Sequence, residues 1–138
     1  MQTIQWYPGH MAKAKREILE KIKMVDLVIE LKDARIPYSS TNPMIDEIVG
    51  NKPRLILLCK ASIADPKITE EWMNYYKDNN ILSLDIDSVT NYHTSLIIKY
   101  AKMALKDVFE SRKRKGIKSE TIKAMVLGIP NVGKSTFI

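Results

Sequence analysis

The sequence is short of several groups whose presence would point to definite functions. One cysteine, Cys59, in 138 residues leaves no intramolecular disulfide to form. No apolar run approaches the roughly 20 residues that a membrane span needs. The first residues, MQTIQWYPGHMAKAKRE, lack the apolar core and small-residue cleavage site of a secretory signal. A cytoplasmic protein without membrane contact is therefore expected. The chain shows no internal repeat and no low-complexity linker, and the turn D-x-x-G occurs nowhere in it. Negative charge is also in deficit: 22 Lys and Arg against 16 Asp and Glu give +6 and a pI near 9.4. That excess favours a polyanionic partner without naming it.

What is present alternates. Ala14, Ile18 and Ile22, with Leu19 and Val25 beside them, recur at helical spacing and predict an amphipathic helix over 12–24. Leu27 to Leu31 is a short β-rich run suited to a buried strand. Asn42, Pro43 and Gly50 bracket a short helix over about 44–49, because Asn caps, Pro fits the first turn and Gly closes the last. A second strand is expected over 54–58, a helix over 69–78, and a third strand over 81–85. A long helix beginning near Ile97 stops at Gly116, and the last strand covers 122–127. Strands joined through helices imply right-handed crossovers, hence an α/β fold with a parallel sheet in three layers. Ligands bind such sheets beyond the carboxyl ends of the strands.

The last strand runs into GIPNVGKS, Gly128 to Ser135, which fits G-x-x-x-x-G-K-[ST] in the strand-then-turn context the motif requires. Gly128 and Gly133 let the backbone turn tightly and present N–H groups to phosphate oxygens. Lys134 reaches the terminal phosphates, and the Ser135 hydroxyl can join a Mg²⁺ shell. The cofactors expected are therefore a nucleotide and Mg²⁺. Hydrolysis needs a second acidic metal partner and a means of orienting water, for which a D-x-x-G turn is the usual source. Only Ser135 to Ile138 follow the loop, so the fold is expected to be cut short after it. Two segments carry much of the positive charge: RKRKGIK, Arg112 to Lys118, and AKAKREILEKIK, Ala12 to Lys23. Each alone reads equally well as a solvated helix face; beside a nucleotide loop they lean towards RNA.

QWYPGHMAKAKRE near the start, DARIPYSSTNPMIDEI after the first strand and GIPNVGKST at the end together resemble the circularly permuted GTPases of the ribosome biogenesis GTPase A family, across all 138 residues. In that family the guanine-reading N-K-x-D and a base-backing loop precede the phosphate loop, and D-x-x-G follows it. The resemblance implies a P-loop NTPase-type sheet, permuted in order, with residues 1–11 as an N-terminal arm and 12–138 as a partial G domain. It implies a factor that binds GTP, with Mg²⁺ and K⁺, and hydrolyses it on the precursor of the large ribosomal subunit, in contact with rRNA, as a monomer. Asn131 matches the asparagine that helps hold K⁺. The remaining loop positions Val132 and Thr136 fall within the same nucleotide-binding turn. His10 matches a histidine that positions water; the alternative is that it packs or contacts RNA in a mobile arm. Trp6 and Tyr7 suit anchors packed on the domain, or surfaces for stacking on a base.

Two loops depart from the family pattern. N-K-x-D becomes CKAS, with Cys59 and Ser62 for the asparagine and aspartate and Lys60 retained. A serine hydroxyl cannot replace the carboxylate that accepts two hydrogen bonds from the guanine edge, a pairing worth roughly a few kcal/mol of discrimination. Asp65 is the nearest substitute carboxylate. In the next loop, DIDSVTNYH, Asp87 and Ser88 fall on the base-backing pair, and Asn91 and His93 stand where the family has glycine. Weak nucleotide binding with little discrimination between guanine and adenine is expected. Cys59, directly after a buried strand, is expected to be inert. The alternative to a GTPase is a non-hydrolysing nucleotide- and rRNA-binding module.

Overall fold

The computed structural model describes residues 2–5, 11–35, 37, 43–118 and 121–128. Its architecture follows from one strand. In β2, Leu27–Asp33, all seven residues are buried, which suits a strand covered on both faces and paired on both edges. The strands β1 (Gln2–Gln5), β2, β3 (Arg54–Cys59), β4 (Leu82–Asp85) and β5 (Ala124–Gly128) form one parallel sheet in the order β1-β5-β2-β3-β4. Leu31 lies opposite both Leu57 and Gly128, so β5 and β3 reach the same level on either side of β2.

Alternation along the strands then divides the core. Leu27, Ile29 and Leu31 share one face with Leu55, Leu57, Leu84 and Val126. That face is covered by Ala101 of α4 (Ile97–Ala104) and by Leu105, at the junction with α5 (Lys106–Arg114). Val28, Met125 and Leu127 face the other way, against Ile18 and Ile22 of α1 (Met11–Ile22) and Ile48 and Val49 of α2 (Pro43–Val49). On the same side, Ile56 and Leu58 pack under Tyr76, Trp72 and Met73 of α3 (Pro66–Asp78). The expected three-layer α/β fold is present. Among the described residues no helix is long and apolar enough to cross a membrane.

Several boundaries differ from expectation for local reasons. The segment expected as an arm contributes residues 2–5 to the sheet, paired in parallel with β5 from Gln2 opposite Met125 to Gln5 opposite Gly128. A four-residue run with one apolar side chain carries no periodicity; its strand state comes from the partner edge. Helix α3 starts at Pro66, three residues early, because Asp65 is its N-cap: the Asp65 carboxylate accepts from Lys67 N–H at 2.9 Å, and proline occupies the first position. Asp65 Oδ1 is thereby engaged in capping. The long helix is interrupted at the fully buried Leu105, whose φ of −102° and ψ of 13° leave the α region. Strand β2 runs two residues further than expected and carries buried charge with it.

That charge sits on the face under α2 and α3. Glu30, 1% exposed, accepts from Arg54 Nε at 2.8 Å and stands 3.6 Å from the Lys32 ammonium. Arg54 also reaches Asp46 of α2 at 2.6 Å. Lys32 lies 5.1 Å from the centre of the Tyr76 ring, and burial holds its ammonium below the ordinary pKa against the opposing pull of Glu30. The network ties two adjacent strands to α2. Replacing Arg54 with Met leaves Glu30 without its closest cation, so the variant should lose about 3–5 kcal/mol in urea unfolding. Asp46→Asn, at an exposed partner, should lose under about 1 kcal/mol. A loss near zero for Arg54→Met would show that the buried carboxylate does not depend on it.

Candidate nucleotide site

Parallel pairing brings the loops after β3 and β4, and the end of β5 at Gly128, to one end of the sheet. Strand β3 ends at Cys59, whose thiol is buried, lies 3.7 Å from the Leu57 carbonyl, and has its pKa pushed up to about 12 by burial first and by Asp33 and Asp87 second. This thiol stays protonated at neutral pH and is a small packing group, as expected. Lys60 follows in the left-handed conformation, φ 63°, with its ammonium 3.9 Å from the Asp33 carboxylate. Asp33 is held by Arg35: its Oδ1 accepts from Arg35 N–H at 2.9 Å and Nε at 3.0 Å, and its Oδ2 from Nη2 at 2.7 Å. These bonds, Arg35's side chain foremost, keep the Asp33 carboxyl below its usual pKa despite burial.

Ser62 does not stand alone where the family has aspartate. Its N–H donates to Asp87 Oδ2 at 3.3 Å, and its hydroxyl lies 3.0 Å from that of Thr90. Asp87, 5% exposed, also accepts from Val89 N–H at 3.0 Å and Thr90 N–H at 3.4 Å through Oδ1. Its backbone closes a two-way bridge with Tyr92, N to O at 3.0 and 2.9 Å. Together with Ala61 N–H to the Ile86 carbonyl at 2.9 Å, these bonds clasp the β3 and β4 loops into one unit. Asp87 is thus a structural acceptor for three backbone N–H groups. Ser88 sits beside it, half-buried.

Asn91 and His93 both adopt positive φ, 61° and 58°. This explains why glycine suits those positions and why the substitutions carry strain, less for Asn than for His. His93 is compensated: Nδ1 lies 3.0 Å from the Asp85 carbonyl and 3.3 Å from its carboxylate, and Tyr92 stacks on the ring at 3.8 Å. Between these loops and α3 opens a cleft of about 480 Å³, lined by Ser62, Thr69, Asp85 and Tyr92 among others. The buried Thr69 hydroxyl has no hydrogen-bond partner among the described residues.

The structure therefore brings Cys59, Lys60, Ser62, Asp87 and Ser88 together on two clasped loops. Gly128 is the last residue of β5, separated from β3 by β2 alone. Asn131, Val132, Gly133, Lys134, Ser135 and Thr136 lie outside the described residues, as do His10, Trp6 and Tyr7. Sequence reasoning gave no role to Asp33, Arg35 or Thr90. The first two were visible as an acid and a base two apart at a strand end; Thr90 had no signal, since its partner is 28 residues away.

No protein-family model matches the chain. It is 54% identical over 136 residues to "Ribosome biogenesis GTPase A" of Bacillus pumilus and 53% identical over 137 residues to that of Priestia megaterium; each match covers 99% of this chain and 48% of the relative. Among solved structures it is similar to GNP-bound YlqF from T. maritima, with a TM-score of 0.67 and 27% identity over 90% of this chain and 45% of that one. The chain spans about half the length of the curated relatives it matches.

Two outcomes test the site as built. Iodoacetamide at pH 8 should label Cys59 slowly in the folded protein and quickly in urea; equal rates would contradict a buried, protonated thiol. Because the folded pKa of Asp33 is depressed, its stabilisation is complete at neutral pH and disappears as pH falls below about 4. Asp33→Asn should therefore lower stability at pH 7 and leave it nearly unchanged at pH 2. A loss that is the same at both pH values would show that the charge plays no part.

Proposed function

Since the chain belongs, over the half-length it shares with those relatives, to the ribosome biogenesis GTPase A family, we propose that it binds GTP and acts in assembly of the large ribosomal subunit. What supports this reading is that Gly128, where G-x-x-x-x-G-K-S begins, ends β5 at the same end of the sheet as the two clasped loops after β3 and β4. Backbone N–H groups from Gly128 onward would cradle the phosphates and Lys134 would reach the terminal ones. The hydroxyl of Ser135 is a hard oxygen donor that fits Mg²⁺, and no group of three His, Cys, Asp or Glu forms a cage among the described residues, so phosphate oxygens would complete the shell. Asn131 is the candidate for K⁺, and His10 for positioning water.

Guanine reading is the weaker part of the site. Ser62 offers no carboxylate, Asp87 is engaged by three N–H groups, and Asp65 caps α3. These three facts favour a second reading, a module that binds nucleotide and rRNA without turnover. Hydrolysis of GTP on the ribosomal precursor separates the two.

In titrations with fluorescent nucleotides the protein should bind GTP and ATP within about tenfold of each other, because the bond that rejects the wrong base is missing. Lys134→Ala should weaken both by at least about tenfold. Ser62→Asp combined with Asp87→Asn, which avoids facing two carboxylates, should raise the preference for GTP roughly 10- to 100-fold. A protein that binds neither nucleotide at millimolar concentration would overturn the proposal. A wild type with sharp guanine selectivity would overturn the account of the base loops.

A further inference from the structure

The net positive charge of the chain is matched by that of one segment. Residues 97–118 hold eight basic and two acidic side chains; with 22 and 16 in the whole chain, the remainder carries fourteen of each sign. The +6 therefore belongs to α4, α5 and the turn after them, on the opposite side of the sheet from α1, α2 and α3. Helix α3, by contrast, mixes Lys67 and Lys77 with Glu70, Glu71 and Asp78.

The charge has a shape. A groove of about 880 Å³ runs along this face, bordered by Lys99, Lys102, Lys106, Lys113 and Lys118, with Glu110 as its one acidic side chain. Lys106 and Lys113, both on α5, are about 10 Å apart along that helix at 1.5 Å per residue. Not every basic residue takes part. Arg112 turns inward, pairing with Asp26 at 2.7 Å and donating to the Thr121 carbonyl at 3.1 Å, so it fastens α5 to the entry of β2 and the approach to β5. The basic run thus splits into an anchor and a display.

Between the lysines lie exposed apolar side chains: Ile98 at 63%, Met103 at 51% and Ile117 at 48% exposure, with the Phe109 ring lining the floor. A purely solvated face gains nothing from them. They stand apart, each flanked by lysine, and form no continuous seam for an amphipathic peptide helix. A line of point charges over a concave floor with scattered apolar contacts matches a chain with regularly spaced anions and flat, apolar faces.

We propose that the α4–α5 groove is an RNA-binding surface, taking one strand of RNA with its phosphates on Lys99, Lys106 and Lys113 and their neighbours. The choice of RNA over another polyanion rests on the proposed role in ribosome assembly; the charge argument does not. The surface is separate from the nucleotide edge, although α4 starts at the end of the loop that holds His93.

The test uses the protein and a fluorescent 12-nucleotide single-stranded RNA, with anisotropy followed against salt. Lys99→Gln/Lys106→Gln/Lys113→Gln should reduce the slope of log affinity against log salt by about 2, roughly 0.7 per lost phosphate contact. At 0.1 M salt its affinity should fall at least tenfold, with the urea midpoint unchanged. A control, Lys23→Gln/Lys67→Gln/Lys77→Gln, removes the same charge from exposed positions on the other face and should leave the slope as it was. An unaltered slope in the groove variant, an equal fall in both variants, or no RNA binding by the wild type would overturn the proposal. So would tighter binding of an acidic peptide of equal charge, which would assign the groove to a protein partner. GTP titration of the groove variant keeps the two readings apart: it should bind nucleotide normally, and loss of nucleotide binding in the wild type would remove the GTP reading while leaving the groove result standing.

Discussion

The register of β2 with its two neighbours is the constraint on which the rest depends. Asp33 lies opposite Cys59 and Leu31 opposite Gly128, so strands that are 26 and 97 residues apart in sequence end on one edge. Parallel pairing makes this unavoidable, because each crossover returns the chain to the starting end before the next strand begins. A slip of one residue would exchange the faces of β2, moving Glu30 and Lys32 into the apolar layer under α4. The ion network of Glu30, Lys32 and Arg54 thereby favours the observed register as well as contributing stability.

The same edge shows how a binding site can lose one chemical group and keep its shape. With serine at position 62, the carboxylate that links the two base-side loops comes from Asp87, on the opposite loop. A carboxylate accepting backbone N–H groups holds those loops as firmly as one projecting from the other side would. What it does not retain is a free acceptor edge for a base, because its oxygens are already committed. On the proposed reading, loop geometry and base recognition are therefore separable here. The positive φ values at Asn91 and His93 point the same way: the backbone keeps a glycine-like path although the side chains have changed.

This separation also decides what could be read from the sequence. Buried parallel strands are legible because the apolar run that buries β2, β3 and β5 is itself the signal, and helix faces are legible because Ile18 and Ile22, or Ala101 and Leu105, repeat at the helical period. The phosphate loop is legible because close backbone approach demands glycine at fixed spacing. Features made by partners distant in the chain leave no local trace. Residues 2–5 become a strand only beside β5; Arg54 and Glu30 are 24 residues apart; Asp87 and Ser62 are 25 apart. The start of α3 is a different case, since Asp65 followed by Pro66 is a local capping signal that the apolar periodicity obscured.

The two basic segments that looked alike in sequence are divided by the fold into unlike surfaces. In and just after α1, Glu17 and Glu20 are interspersed among Arg16, Lys21 and Lys23, so the positive side chains there have acidic neighbours. In α5 the acidic partner of Arg112 lies across the chain at Asp26, and the lysines around it keep an outward field against Asp107 and Glu110, of which Glu110 alone lines the groove. Fixing the guanidinium at 2.7 Å orients the helix and leaves the neighbouring ammonium groups in a line. Because α4 begins one short turn after His93, whose ring is held against Asp85, that line is referenced to the β4 loop as well as to β2. One connected path, from Asp85 through His93 to α4, α5 and Asp26, thus runs from the end of β4 to the entry of β2, and a polyanion seated along it as proposed would lie in fixed relation to the loops after β3 and β4.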